Sequence, residues 1–554
     1  MLKKSLGTLL FLVLASTAFA YDHYWIEFTD KSGTPYSVSN PSVYLSSRAI
    51  QRRQNQGIPI TQRDFPPNPS YVSQVLATGA VTLNYRSRWF NAISITTTDA
   101  NALTAINALP FVVNVQPVKR YKGNKDTEEE LPFEPYEEER YANDLIAPTA
   151  LNYGQSYNQV NQIGVVCMHN MGYQGQGMVI AVLDDGFYNV DILPAFDSLR
   201  LNNQLLGTWD FVSGNANVYD DDTHGMEVLS DMGGYLDGQL IGTAPKAKYW
   251  LLRTEDAATE YLVEEDNWVA GIEFADSVGA DVVNTSLGYT QFDDASMNHV
   301  YADLDGNTTL IARAADFGVA TGMFICCCAG NSGAQPWYYI WSPADADSIM
   351  AVGAVDNSGV ITGFSSHGPT ADGRIKPNVC ARGSNATVAN PSGGITTASG
   401  TSFASPITCG GVACLWQANP TFNNMQLFNA ILLSANQYNS PDNTYGYGIP
   451  NMCTANILIS QGDLPNAFGD HFCKVYPVPF KDELFFSFYS ASSQQLYIEL
   501  LDATGRVVYS STRASGAKQE NKLMLQGLEK LSPGMYTLKV TASGNVFAQK
   551  VVKE

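Results

Sequence analysis

Between residues 151 and 460 one pattern recurs: a short apolar run, a stop at Gly, Asp or Asn, then a longer stretch with helical periodicity. GMVIAVLDDG, ADVVNTSLG, GMFICCCAGN and SIMAVGAVD are the clearest runs. Strands that are apolar throughout, rather than alternating, predict a parallel sheet covered by helices on both faces. The flanks read differently. Residues 24–117 give, in order, strand YWIEFT, helix PSYVSQVLATG, strands AVTLNYR and NAISIT, helix DANALTAINALP and strand FVVNVQP. The second helix starts at an Asp cap and stops at Pro110. Beyond about residue 473 the runs alternate: LFFSFYS, QLYIELLD, RVVYSS, GMYTLKVTA and NVFAQKVV, separated by Gly/Ser turns. Such spacing predicts a small β-sandwich.

The N-terminal order, β-α-β-β-α-β with an additional helix near SSRAIQRRQNQG, is a ferredoxin-like α+β arrangement. Ahead of it, MLKKSLGTLLFLVLASTAFA has the charged start, apolar centre and small-residue end of a secretory signal. Behind it, DTEEELPFEPYEEER carries eight acids and one base and cannot bury enough apolar surface to fold, which predicts an exposed linker. The expected organisation is therefore signal 1–20, α+β unit 21–120, acidic linker 121–150, parallel α/β domain 151–460, hinge 461–472 and all-β sandwich 473–554.

Composition narrows the partners. The 554 residues carry a net charge of −21, which argues against nucleic acid and anionic membrane, both of which need a basic face. An acidic, solvated surface suits an exported protein. Apart from the shorter signal region, no run approaches the roughly 20 apolar residues of a membrane span, so no integral membrane segment is expected. The nine cysteines are an odd count without a CxxC pair, so a structural zinc site is not expected. Cys326, Cys327 and Cys328 lie in an apolar run and read as buried thiols, with one bridge elsewhere left open.

Candidate chemistry gathers in the α/β domain. VIAVLDDG puts Asp184 at the carboxyl end of a buried strand, where open parallel sheets place their sites. DDTHGMEVLSDMGG starts a helix near His224, and ICCCAGNSG sets Asn331 in a Gly-rich turn just past a strand. GTSFASPITCGGVACLW reads as a tight turn at Gly400, with Ser402 at a helix start and Pro406 in its first turn. Free N–H groups and the positive dipole end there favour an oxyanion.

Taken singly each segment is ordinary; in the order Asp, His, Asn, Ser they resemble the subtilisin-like serine peptidases. The likeness runs from about residue 160 to 460. It includes NTSLGY as a substrate-binding strand, GTAPKAKYWLLR after the His helix, FSSHGP and IKPNVCARG before the serine, and YGYGIPN near the end. The resemblance implies a serine endopeptidase acting through an acyl-enzyme. Ser402 would be the nucleophile, His224 its base, Asp184 the orienting carboxylate, and the Asn331 amide with the Ser402 N–H the oxyanion donors. Ser286, Leu287, Gly288, Gly330 and Trp341 would border the substrate, Trp341 filling the pocket for the residue before the scissile bond. No metal and no cofactor are required. Calcium stabilises many relatives, and the acidic loop YDDDT is as easily the lead-in to the His helix as a calcium site.

This chain departs from the family at Asp185, where Thr or Ser is usual, and at Met226, where a small Thr is usual. A second carboxylate beside Asp184 either perturbs it or points away, and the second arrangement is the expected one. The flanking regions also resemble known parts: residues 21–120 an inhibitory propeptide of this family, and 473–554, with VYPVPF, LLDATGRVV, LSPGMYTLKV and KVVKE, a type IX secretion sorting domain of Bacteroidetes. The alternatives are an unrelated binding domain at the N-terminus and a carbohydrate- or protein-binding sandwich at the C-terminus. The implied partners are polypeptide substrates, the chain's own propeptide as intramolecular inhibitor, and the type IX machinery. The implied destination is the cell surface or medium, reached through periplasm and outer membrane. A catalytically silent adhesion protein on the same scaffold is the competing class.

Overall fold

The computed structural model describes residues 21–120, 151–461, 473–476, 479–490, 495–502, 504–515, 519–542 and 545–554. The signal, the acidic linker and residues 462–472 of the hinge lie outside these.

The N-terminal unit consists of β1 (Tyr21–Phe28), α1 (Ser47–Asn55), α2 (Pro69–Leu76), β2 (Thr82–Ser87), β3 (Ala92–Thr96), α3 (Ala100–Asn107) and β4 (Val112–Arg120). Its sheet is antiparallel in the order β2-β3-β1-β4, the ferredoxin-like topology, with α1 as the insertion. Asp99 caps α3 by accepting from the N–H groups of Asn101 and Ala102. Alternation along the strands gives the sheet two apolar faces. Ile26, Ile93 and Ile95 pack on Val72, Val75 and Ile106 of the unit's own helices. Trp25, Tyr85, Trp89 and Ala92 on the other face join the core of the central domain.

The central region runs α4 (Tyr157–Gln162), α5 (Val165–Asn170), β5 (Val179–Asp184), α6 (Asp197–Leu201), β6 (Leu205–Asp210), α7 (His224–Gly233), the short β7 (Tyr235–Leu236) and β8 (Leu240–Ile241), and β9 (Lys248–Arg253). It continues through α8 (Val263–Val278), β10 (Val282–Thr285), α9 (Leu310–Ala320), β11 (Phe324–Cys328), β12 (Met350–Val355) and β13 (Val379–Arg382). The ribbon β14 (Ala386–Ala389) and β15 (Ile395–Ala398) precedes α10 (Thr401–Ala418), α11 (Asn424–Ser434) and α12 (Met452–Gln461). Seven strands form one parallel sheet in the order β13-β12-β11-β10-β5-β9-β6. Strands β5, β10, β11 and β12 are buried at every residue, as continuous apolar runs require. The chain winds from β5 to one side and then, with β10, to the other. The reversal opens a crevice at the carboxyl ends of β5 and β10.

The C-terminal strands are β16 (Cys473–Tyr476), β17 (Leu484–Ser490), β18 (Gln495–Leu501), β19 (Val507–Ala514), β20 (Gln519–Leu525), β21 (Gly534–Ala542) and β22 (Asn545–Lys553). They make two sheets, β16-β17-β20 and β19-β18-β21-β22, around one core that includes Phe480, Phe486, Ile498, Leu538 and Phe547. Strand β20 was not anticipated: its first residues are polar, and long-range pairing with β17 makes it a strand.

Cysteine usage follows the alternation of β11, Cys326 joining one core and Cys327 the other. The bridge left open by the sequence is Cys167–Cys453, which ties α5 to α12 across a separation of 286 residues. Closing so long a loop constrains the unfolded chain. Replacing Cys453 by Ser in a Ser402→Ala background is expected to cost about 2–4 kcal/mol and lower the melting transition of the central domain. An unchanged calorimetric profile would mean packing alone holds α12.

Candidate active site

Four elements converge at the crevice. Asp184 ends β5 with no solvent exposure. His224 opens α7 directly above it, and its Nδ1 lies 2.6 Å from Asp184 Oδ1. The same oxygen accepts the Asp185 N–H at 3.0 Å, while Oδ2 has no hydrogen-bond partner. So close an approach of α7 needs Gly225, where a Cβ would meet the Gly186 carbonyl at 2.3 Å and Asp184 Cβ at 2.7 Å.

Ser402 is the second residue of α10, and the ring of the next residue, Phe403, faces the His224 ring with centroids 5.8 Å apart. Its Oγ is turned toward the Ser286 carbonyl at 3.4 Å. Two local expectations are corrected. Pro406 lies inside α10 rather than in its first turn. A proline there denies the Ser402 carbonyl its i+4 donor, and Ser286 Oγ replaces it at 2.7 Å. Gly400 has φ 164°, an extended conformation open to any residue, so no unusual backbone explains it.

Asn331 accepts from the Thr401 N–H at 2.9 Å and the Thr401 hydroxyl at 3.0 Å through its side-chain oxygen. That assigns the other end of the amide, Nδ2, as the outward donor. Of the expected substrate-bordering residues, Ser286, Gly288, Gly330 and Trp341 gather beside this turn. The Trp341 indole lies between two glycines: a Cβ on Gly330 would meet its ring at 2.7 Å, and one on Gly288 its Cβ at 2.9 Å. Its Nε1 donates to Ser332 Oγ at 2.9 Å. The Leu287 side chain instead packs into the core, leaving its backbone as what it can present.

With this geometry in view, residues 175–448 match the model of the subtilase family of peptidases. That stretch is a subtilase domain. Residues 23–131 match the peptidase S8 propeptide domain of Bacteroidota, and residues 474–554 a secretion system C-terminal sorting domain. Subtilisin Savinase of Lederbergia lenta is 27% identical over 293 residues, covering 53% of this chain and 95% of that protein. Subtilisin E of Bacillus subtilis (strain 168) is 28% identical over 311 residues, covering 55% and 73%. The protein is a serine endopeptidase carrying a propeptide domain, and its sorting domain marks it for export. Among the described residues no helix is long and apolar enough to cross a membrane.

The subtilase domain differs from the sequence expectation at Asp185. The side chain does not point away: its Oδ1 accepts the Gly225 N–H at 3.2 Å, at the root of α7. Burial, then the neighbouring Asp184 charge, push the Asp185 carboxyl up to about 8 against the opposing pull of His224. Burial disfavours the His224 imidazolium, but the charge and hydrogen bond of Asp184, with Asp185 behind it, outweigh that and raise it to about 10.

In the YDDDT loop, Asp221 pairs with Arg253 at 3.2 Å and Asp222 accepts the Thr223 N–H at 2.6 Å, so two of its acids turn to protein partners. Among the described residues two clusters bring carboxylate or imidazole ligand atoms close enough for a metal: Asp184, Asp185 and His224, and Glu255, Glu260 and Glu264. The second was missed, since its residues are spread along an acidic stretch without motif spacing. Burial first, then neighbouring carboxylates, raises Glu255 to about 8, Glu260 to about 7 and Glu264 to about 11, each toward the neutral acid.

For His224 to act as the base that the resemblance implies, its imidazole must be neutral, so a raised His224 would delay activity to higher pH. Asp185→Asn removes a charge that favours the imidazolium. The acid limb of the kcat/KM–pH profile is therefore expected to move to lower pH; a limb left in place would mean Asp185 does not act on His224 in solution.

Proposed function

We propose that the chain is an exported endopeptidase that cuts peptide bonds through Asp184, His224 and Ser402, forms an acyl-enzyme, and matures by its own cleavage. The observation that carries this reading is the 2.6 Å contact between a fully buried Asp184 and His224. Asp184 holds the Nδ1 proton and leaves Nε2 as the basic atom. Ser402 gives its proton to that nitrogen as Oγ attacks the carbonyl carbon. The proton then passes to the leaving amine, and water repeats the sequence on the acyl-enzyme. The Asn331 amide, its oxygen engaged by Thr401, and the Ser402 N–H at the start of α10 receive the oxyanion.

Two further parts of the reading rest on position. The N-terminal unit covers the central domain with Trp25, Tyr85 and Trp89, which suits an intramolecular inhibitor that also templates folding. Trp341, wedged between Gly288 and Gly330, occupies space beside the scissile bond and restricts the preceding residue to small side chains. The sorting domain supports passage through the periplasm and the outer membrane by type IX machinery, with the cell surface or medium as destination.

The decisive comparison sets the precursor beside its Ser402→Ala variant, with chain length followed by intact mass and a fluorophosphonate as active-site label. The parent is expected to take the label and cut itself in the 121–150 region, the variant to do neither. A parent that stays intact and unlabelled after the linker is cut by another protease would favour a silent scaffold. Asn331→Leu should lower kcat about 100-fold or more, the range known for such a donor in a subtilisin, a member of this family. Trp341→Gly should raise kcat/KM for peptides with a large aromatic residue before the cut by about tenfold or more. A strong aromatic preference in the parent would refute the pocket assignment.

A further inference from the structure

The helix inserted into the N-terminal unit, α1, does not touch the crevice, and the hydrogen bonds it makes are of an unusual kind. It stands on the C-terminal ends of α8 and α9, where the last carbonyls of each helix lack intrahelical donors. Ser46, its cap, donates its N–H to the Ser277 carbonyl at 2.9 Å. Arg48 Nε reaches the Gly279 carbonyl at 3.0 Å, Arg52 Nε the Thr321 carbonyl at 3.2 Å, and Gln56 Nε2 the Gly322 carbonyl at 2.8 Å. Arg52 also donates to the Ala280 carbonyl. Both helix ends carry a glycine in the left-handed region, Gly279 at φ 86° and Gly322 at φ 96°. A Cβ on Gly279 would meet Arg48 Cβ, and one on Gly322 the Gln56 amide, each at 2.7 Å. The two helix ends are thus shaped to admit α1.

Charge completes the fit. Arg52 pairs with the Asp276 carboxylate of α8, which is fully buried. Arg53 reaches the other Asp276 oxygen at 2.9 Å and Asp64 at the same distance. Arg88, from the β2–β3 turn, adds a third contact to Asp276 at 3.1 Å and donates to the Glu273 carbonyl at 2.6 Å. Arg48 pairs with Asp281 at the rim. Burial would raise the Asp276 carboxyl, but Arg53, Arg52 and Arg88 outweigh it and hold it well below the usual range, so the carboxylate stays charged. The contrast with the far end of the interface is sharp. There Lys119 of β4 meets Asp256 at 3.3 Å, and both side chains are about one-fifth exposed, so solvent screens the pair.

We propose that α1, with Arg88, is a separate latch: its arginines grip the end of α8 through Asp276, Arg52 and Gln56 hold the end of α9 through the Thr321 and Gly322 carbonyls, and this grip, rather than the end of β4, sets how tightly the severed propeptide stays on the peptidase. The inference rests on the reading of residues 21–120 as a propeptide. It assigns to the α8–α9 end of the central domain one partner, a helix presenting Arg-Arg with a cap at its start.

The test uses the full chain with Ser402→Ala, cut in the acidic linker by an added glutamyl endopeptidase. Release of the propeptide fragment is followed by gel filtration with intact mass on the fractions. The nicked parent is expected to retain the fragment. Arg52→Gln with Arg53→Gln should release it about a hundredfold faster or more, since truncating one side of a buried charged pair acts chiefly on dissociation. Lys119→Gln should change release less than about tenfold, as a screened pair does. If the double variant fails to fold, Arg48→Gln, at the rim, should still speed release by about tenfold. Unchanged release on loss of the arginines, or an equal effect from Lys119→Gln, would overturn the latch. Because the readout is retention rather than cleavage, a chain without peptidase activity would refute the proposed catalysis while leaving this result interpretable.

Discussion

A carboxylate with no contact to solvent, Asp184, constrains everything around it. Ending a buried strand in a charge is costly unless partners are supplied. The chain supplies the Asp185 N–H and the His224 ring to one oxygen and leaves the other without a partner. To bring the ring there, α7 must begin against the end of β5, which only a glycine at 225 permits. The sheet order then decides what else can arrive: β10 pairs with β5 and β11 with β10, so the segments following them, with Ser286 and Asn331, open into the same crevice. Helix α10, buried along nearly its whole length, delivers Ser402 to this edge.

The position of Ser402, the proposed nucleophile, depends on a break in its helix. Pro406 leaves the Ser402 carbonyl without its usual donor, and Ser286 Oγ supplies one from the segment that follows β10. The first turn of α10 is thereby tied to the segment after β10. The same turn is tied to Asn331 through Thr401, which gives the amide its orientation and whose hydroxyl oxygen also accepts the Gly330 N–H at 3.1 Å. Ser402, the Asn331 amide and the Ser286 segment are held by one small network, so displacement of any one would be felt by the others.

Much of this was legible in the sequence because it rests on local signals. Continuous apolar runs gave the parallel sheet, the Asp99 cap and Pro110 gave α3, and the motifs around Asp184, His224, Asn331 and Ser402 lie where strands end and helices begin. What was not legible depends on contacts between distant segments. The orientation of Asp185 is set by the N–H of Gly225, 40 residues on. The partner of Cys167 lies 286 residues away. Strand β20 exists because β17 is beside it. Pro406 is the sixth residue of α10, already in the second turn, where its effect depends on the distant Ser286 hydroxyl.

Helix α8 shows why charge along a sequence is a poor guide to solvent. Glu264, Glu265, Asp266, Glu273 and Asp276 resemble a solvated face, yet all are buried. The helix packs on the sheet inward and under the N-terminal unit outward, and each acid is buried by a different device. Asp276 keeps its charge because arginines arrive with the covering unit. Glu273 accepts the N–H groups of Arg88 and Trp89 and the Ser87 hydroxyl. Asp266 is raised well above the usual range, first by burial and then by Glu265. Glu264 and Glu265 are met within the central domain, by the Asp256 and Tyr261 N–H groups and by His299. Glu273 and Asp276 are explained only by the two-unit structure: these two acids are written for the partner that covers them, and the partner's arginines for the acids.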